Sequence, residues 1–300
     1  SVSSAATGSF EVPVDVESRV DLHLHSTCSD GRLEPAALIS AAEELGLKAV
    51  SLTDHDTVAG VHVACEAAEA LGLPFVPGIE YSAYDDTGST HLLGYFIDPD
   101  HGELVAYVKG AQESRVRRAA EIVDKLNRLG VEVTLDEVKT QVSETGLIAR
   151  PHVAQALVKG HWVRSYGEAF DRFIAAGQPA YVPTQRISPA QGIKLIHAAG
   201  GLAVLAHGGR THSDEAIRQL VDEGLDGLET LHPDHGPFEV RRLRRLAAEL
   251  DLLETGGSDW HGFSEARRGQ LGSQPVPYEW YERLRDAALP GGGAGFNRGR

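Results

Sequence analysis

Two histidines stand two residues apart in RVDLHLHSTCSDG, Arg19 to Gly31, where a buried strand would ordinarily carry valines. Side chains alternate along an extended chain, so Val20, Leu22 and Leu24 take one face while Asp21, His23 and His25 take the other. Ser26, Ser29, Asp30 and Gly31 then turn the chain, which sets both imidazoles at the carboxyl end of the strand. Such a pair can hold a metal ion, and a pair of hydrogen-bonded core histidines is the competing reading.

The rest of the chain weighs on that choice. His55 closes a second apolar run, KAVSLTDHD; Glu80 lies in a third, PFVPGIEYSAY; His91 lies in a fourth, THLLGYFID. His207 ends GLAVLAHGG, and Asp259 and His261 repeat the two-residue spacing in LLETGGSDWHG. With His23, His25 and Asp30 these make six imidazoles and three carboxylates, more than one ion uses, so two or three closely spaced divalent ions are expected. Mixed nitrogen and oxygen donors without a thiolate suit Mn²⁺, Fe²⁺ or Zn²⁺ better than Mg²⁺ or Ca²⁺. In parallel α/β folds the carboxyl ends of the strands are where sites collect, whereas separately satisfied structural histidines have no reason to gather there.

The elements that must position these donors follow from periodicity. EPAALISAAEELGL reads as a helix ending near Gly46 and AGVHVACEAAEALGL as another, so the first hundred residues run β-α-β-α-β-β through a DDTGS turn. From His101 to Pro189 the pattern is helical: Val116, Ala120, Val123 and Leu126 form an apolar stripe, and Gly130 marks a stop. PAQGIKLIHAAG is a further helix, and GLAVLAHGG, GLDGLETLHP and LLETGGSDWHG complete seven strands. The expected architecture is a seven-stranded (β/α) barrel. An N-terminal extension (1–18) precedes it, 19–100 and 190–285 form it, a helical insertion (101–189) interrupts it and a glycine-rich tail (286–300) follows.

Within the insertion, Arg150 precedes Pro151 in RPHVAQAL, a helix start that carries His152. Free backbone amides, the helix dipole and a guanidinium together favour an anion, so Arg150 and His152 are candidates for binding a second phosphate, against an ordinary surface arginine. His232 and His235 in LHPDH follow the sixth strand and either contact substrate or shape the loop. Arg241, Arg242, Arg244 and Arg245 flank Val240, Leu243, Leu246 and Leu250 on one helix, which puts the arginines on a solvated face. Cys28 lacks an adjacent base, and with Cys65 it makes no metal-thiolate spacing.

Composition narrows the partners. A formal charge of −15 argues against a broad surface for long nucleic acid, while a small anionic substrate remains compatible if bound cations supply local positive charge. There is no apolar run of roughly 20 residues and no secretory leader, so the chain reads as cytoplasmic and without a membrane partner.

Taken in order, VDLHLHSTCSDG, LTDHD, GIE, HLLGY, LAHGG and SDWHG resemble the polymerase and histidinol phosphatase (PHP) family from about Arg19 to Gly262. ARPHVAQAL is similar to the subgroup of bacterial nucleoside 3′,5′-bisphosphate phosphatases that includes 5′-to-3′ exoribonucleases acting on short RNA. The resemblance implies a distorted barrel with a trinuclear site, often Mn²⁺, and matches His23, His25, Asp30, His55, Glu80, His91, His207, Asp259 and His261 to its ligands. Relatives commonly carry proline after the histidine of AHGG, so the loop behind His207 is expected to differ. The chemistry implied is attack of a metal-activated hydroxide on a phosphate monoester, with Glu80 bridging two ions and Asp259 and His207 in the catalytic set. The substrate would be a small phosphorylated nucleotide or a short oligonucleotide. The rival readings are histidinol phosphate phosphatase and, from another class, a noncatalytic PHP module of a larger assembly.

Overall fold

The computed structural model describes residues 19–84, 88–142, 148–183, 187–262 and 270–289. The expected N-terminal extension, the first three residues of the DDTGS turn and most of the expected tail lie outside the described residues. Strand β1 (Arg19–Val20) is shorter than its alternation predicts. Helix α1 (Pro35–Glu44) opens on the fixed φ of Pro35 and closes before Gly46, which turns left-handed at φ 75°. Strand β2 (Val50–Leu52), helix α2 (Val61–Leu71), strand β3 (Phe75–Tyr84) and strand β4 (Ser89–Tyr95) follow.

The main sheet has the order β2-β3-β4-β5-β6-β7, where β5 is Leu202–Leu205, β6 Gly227–Leu231 and β7 Leu253–Gly256. All neighbours pair in parallel except β3–β4 and β4–β5, so β4 runs against the others. Its beginning therefore lies at the end of the sheet where the parallel strands finish. This explains why His91, early in β4, can join residues that follow β2 and β5.

Past β1 the chain bonds both sheet edges. Asp21 N–H donates to Ala49 O at 3.1 Å beside β2, and Leu22 N–H donates to Gly256 O at 3.2 Å in β7. One segment reaches both edges only because the sheet is strongly curled. The segment breaks from regular ladder geometry where it carries its histidines, and isolated bridges at Asp21 and Leu24 replace the long strand expected. Gly257 permits the close approach, since a Cβ there would stand 2.4 Å from that of His23.

Two elements went unread in the sequence. Strand β8 (Val276–Pro277) pairs antiparallel with β1, and helix α10 (Tyr278–Ala288) packs Trp280, Tyr281 and Leu284 into a buried cluster with Val20, Leu22, Tyr95 and Val204. Helices α7 (Pro189–Ala198), α8 (Asp214–Asp222) and α9 (Pro237–Leu250) cover the sheet through Ile193, Ile217 and Leu246.

Helices α3 (Gly102–Arg128), α4 (Leu135–Lys139), α5 (Arg150–Lys159) and α6 (Tyr166–Ala169), with a π-helical turn at Phe170–Ile174, share a separate apolar cluster that includes Leu126, Val153, Leu157 and Ile174. The stripe expected on α3 is corrected here: Val116 is 40% exposed, and the buried face is Ala119, Ile122, Val123 and Leu126. Arg115 and Arg118 sit on that inward side because Arg115 pairs with the buried Asp56 and Arg118 Nε donates to Val182 O at 2.8 Å. The arginines of α9 also need correction. Arg242 reaches Asp214 at 2.6 Å and the carbonyls of Gly209 and His212, while Arg244 pairs with Glu254 at 2.9 Å, so neither is merely solvated. Among the described residues no helix is long and apolar enough to cross a membrane.

Candidate metal centre

Glu80 is the hub of the nine expected donors. It is fully buried in β3, and five imidazoles face its two oxygens. Oε1 stands 2.7 Å from His91 Nδ1 and 3.0 Å from His207 Nε2. Oε2 stands 3.1 Å from His23 Nε2, 3.2 Å from His25 Nε2 and 3.1 Å from His55 Nδ1. Asp259 Oδ1 adds 3.1 Å to His25 and 3.4 Å to His23, and Asp30 Oδ1 is 3.1 Å from His261 Nε2. All nine residues therefore gather at one place. Asp259 and His207 hold positive φ angles of 50° and 32°, backbone strain of the kind that collects at functional sites.

Buried carboxylates among so many nitrogens demand positive charge. Burial pushes the Glu80 carboxyl up, but His55, His23 and His91 outweigh it and hold it well below the usual carboxylate range. Burial pushes His25 down, yet Asp259 and Glu80 lift it to about 10. Burial dominates at His55, which falls to about 4.

The donor set fits divalent ions. His25 is wholly buried; its Nε2 stands close to Asp259 and Glu80 without hydrogen-bond alignment and its Nδ1 makes no hydrogen bond, an arrangement that a cation shared with the two carboxylates would satisfy. Four groups, His25/Asp30/His55/His261, His23/His25/Glu80/Asp259, His23/Glu229/His232 and His55/Glu80/His91, each bring their ligand atoms within 4.8 Å of one another. Two donors bound at about 2.1 Å to one ion lie roughly 3.0–3.4 Å apart, the spacing found around Glu80 and Asp259.

Outer contacts aim the rings. His261 Nδ1 donates to Asp259 O at 2.7 Å, which leaves Nε2 toward Asp30. His23 Nδ1 donates to Glu229 Oε1 at 2.9 Å, which turns Nε2 toward Glu80 and Asp259. Glu229 also accepts the His207 backbone N–H at 2.7 Å. Sequence reading missed Glu229, whose signal was an acid inside the otherwise apolar strand GLETL. It missed Asp234 too, which lines the cleft with His55, Glu80, His91, His207 and Asp259.

The four candidate substrate contacts divide. His232 is buried, its Nε2 3.5 Å from Asp259 Oδ2, and His235 bonds the backbone with both nitrogens, taking Gly209 N–H at 3.0 Å and giving to Thr230 O at 3.1 Å. Arg150 lines a second cleft with Arg115, Arg118 and Ile148, beyond the nine-donor cluster. His152 accepts Ala149 N–H on Nδ1 at 3.0 Å, so its proton resides on Nε2, and burial lowers its pKa although the Asp30 charge opposes this.

Known proteins resemble this chain over most of its length. The PHP domain profile matches residues 21–175, and the chain belongs to that family. It is 33% identical to the 5′-3′ exoribonuclease Rnm of Escherichia coli over 91% of this chain and 90% of that protein. It is 31% identical to the 3′,5′-nucleoside bisphosphate phosphatase of Chromobacterium violaceum, covering 86% of this chain and 92% of that one. A crystal structure of a Bifidobacterium adolescentis protein, described as a metal-dependent phosphoesterase, superposes with a TM-score of 0.79 at 35% identity, covering 90% of this chain and 96% of that one.

Proposed function

We propose that this chain is a metal-dependent phosphoesterase that removes one phosphate from nucleoside 3′,5′-bisphosphates and acts on short 5′-phosphorylated oligoribonucleotides. The observation that carries the reading is the gathering of the nine expected donors around Glu80, and the three arginines Arg115, Arg118 and Arg150 that line one small cleft support a second anion site. The names of the E. coli and C. violaceum relatives supply the substrate class.

Residues 19–100 and 190–285 are read as one distorted seven-stranded barrel that holds the metals, and 101–189 as the helical insertion that selects substrate. The separate apolar cluster of α3 to α6 supports this division. Two or three ions, Mn²⁺ in preference to Fe²⁺ or Zn²⁺, would be held by His23, His25, Asp30, His55, Glu80, His91, His207, Asp259 and His261, and Glu80, with a different set of imidazoles at each oxygen, suits a bridge. When bound, such ions polarise the phosphoryl oxygens and lower the pKa of a water.

The protein supplies orientation. Glu229 and the Asp259 carbonyl fix the tautomers of His23 and His261, and His232 backs Asp259. Arg150 and Arg118 carry like charges close enough that burial and Arg150 together lower the Arg118 pKa, so an anion between them relieves both desolvation and repulsion. With His152 Nε2–H they would grip the phosphate that is not hydrolysed. The cationic amine of histidinol phosphate would instead seek a carboxylate, for which the cleft offers Asp234.

The test is a Mn²⁺-saturated panel of adenosine 3′,5′-bisphosphate, a short 5′-phosphorylated RNA, histidinol phosphate and p-nitrophenyl phosphate. Nucleotide substrates should give the highest kcat/KM. A protein that prefers histidinol phosphate, or hydrolyses none of the four, refutes the reading.

A further inference from the structure

Helix α6 runs straight into the π-helical turn Phe170–Ile174, closed by Ala175 N–H donating to Phe170 O at 2.9 Å. Such turns are rare and recur at functional sites, where the wider winding re-aims side chains. Ile174 goes into the helical cluster, while Phe170 stays partly buried at its edge. Tyr166, one turn earlier, stays outside that cluster at 45% exposure with its ring 5.1 Å from that of Phe170.

Single exposed aromatics are common and require no explanation. Tyr166, however, continues a built assembly. The Arg150 guanidinium lies 5.8 Å from the centre of the Phe170 ring and 5.7 Å from that of Tyr181, and Tyr166 packs in turn against Phe170. The Tyr166 phenol is also close enough to feel the charges of both Arg150 and Asp30.

We propose that Tyr166, braced by Phe170 beside Arg150, is the surface on which the nucleobase of the substrate stacks. The inference rests on the nucleotide reading above and deepens it. In a nucleoside 3′,5′-bisphosphate one ribose carries the base and both phosphates, so a base must come to rest near the span from Arg150 to the metals. An aromatic face there accepts any base without hydrogen-bond readout, as suits an enzyme that trims RNA of varied sequence.

The experiment compares parent, Tyr166→Ala and Tyr166→Phe on adenosine 3′,5′-bisphosphate and on 1-deoxyribose 3,5-bisphosphate, which keeps the sugar and both phosphates without the base. Tyr166→Ala should lower kcat/KM for the adenosine compound about tenfold, mostly through KM, a loss within what one base–aromatic stack supplies. The abasic compound should change by less than about twofold, and Tyr166→Phe should match the parent on both, because a phenyl ring stacks as well as a phenol. Equal losses on the two substrates, or a Tyr166→Phe as poor as Tyr166→Ala, overturn the stacking role while leaving the nucleotide reading intact. A parent that hydrolyses neither bisphosphate overturns both.

Discussion

Glu229 lies outside the nine expected donors, and its removal should nevertheless weaken the metal centre. Its carboxylate is wholly buried, accepts from His23 Nδ1 at 2.9 Å and from His207 N–H at 2.7 Å, and thereby braces two of the nine donors at once. Burial pushes its pKa up, but His23 and His232 outweigh that and keep it ionised at neutral pH. In Glu229→Gln the shape is kept, the charge is lost, and one amide face presents N–H where an acceptor is needed. A hydrogen bond to a charged partner contributes about 1.5–3 kcal/mol. Loss of an outer carboxylate–histidine contact costs about 10–100-fold in metal affinity, or roughly 1.4–2.7 kcal/mol. Two independent routes thus give one range. The assay is competition of the metal-free variant against a chelator of known Mn²⁺ affinity, with circular dichroism to establish that it is folded. A folded Glu229→Gln with parental affinity would show that His23 and His207 are oriented without it, and the carboxylate–histidine–metal logic would fail.

Asp259→Asn should keep the fold, since Asn tolerates the left-handed φ of 50° as well as Asp does, yet lower turnover by at least about 100-fold with the loss of a ligand charge; parental turnover in a folded, metal-replete variant would remove Asp259 from the site. Arg150→Ala should weaken kcat/KM for adenosine 3′,5′-bisphosphate by about 1.5–3 kcal/mol and leave p-nitrophenyl phosphate far less affected; equal losses would make Arg150 a structural residue. In metal-free protein, His25 is raised to about 10 from 6.5, so the stability it contributes is complete below pH 6.5 and is lost as pH climbs toward 10. The urea midpoint should fall over that window without metal and hold steadier with saturating Mn²⁺, which takes the place of the protons; the same fall in both states refutes this.

The gathering of the nine residues was legible because ionisable residues in or beside apolar runs contradict local burial, and the contradiction repeats at strand after strand. The supports were harder to see. Glu229 differs from a surface acid only through β6 being covered on both faces, which one strand's letters do not reveal. The inward face of α3 misled by one position, because Arg115 looks like a solvent residue until Asp56 is found buried opposite it. Strand β8 has two residues and no alternation to detect, and α10 follows it without a break. The short β1 has a related cause: a segment that must bond both edges of a curled sheet cannot keep a regular ladder with either.

On the proposed reading, the Asp56–Arg115 pair would also set the spacing between the metal centre and the second phosphate site. Asp56 follows His55, accepts the Ser82 N–H at 2.8 Å, and is paired with Arg115 of α3. Ser82 is the ladder partner of His91. One buried carboxylate therefore fastens the loop of His55, the hairpin of Glu80 and His91, and the helix that continues to Arg118. Arg115 and Arg118 are three residues apart on one helical face, neighbours at about 5–6 Å, so the pair that docks α3 onto the metal loop also fixes the edge of the second cleft. The two phosphates of one nucleoside are confined to a limited range of separations, so a site that reads both would gain from a defined spacing between its two halves. Helix α3, anchored at Asp56 and packed through Ile122 and Leu126, would be the element that sets that spacing.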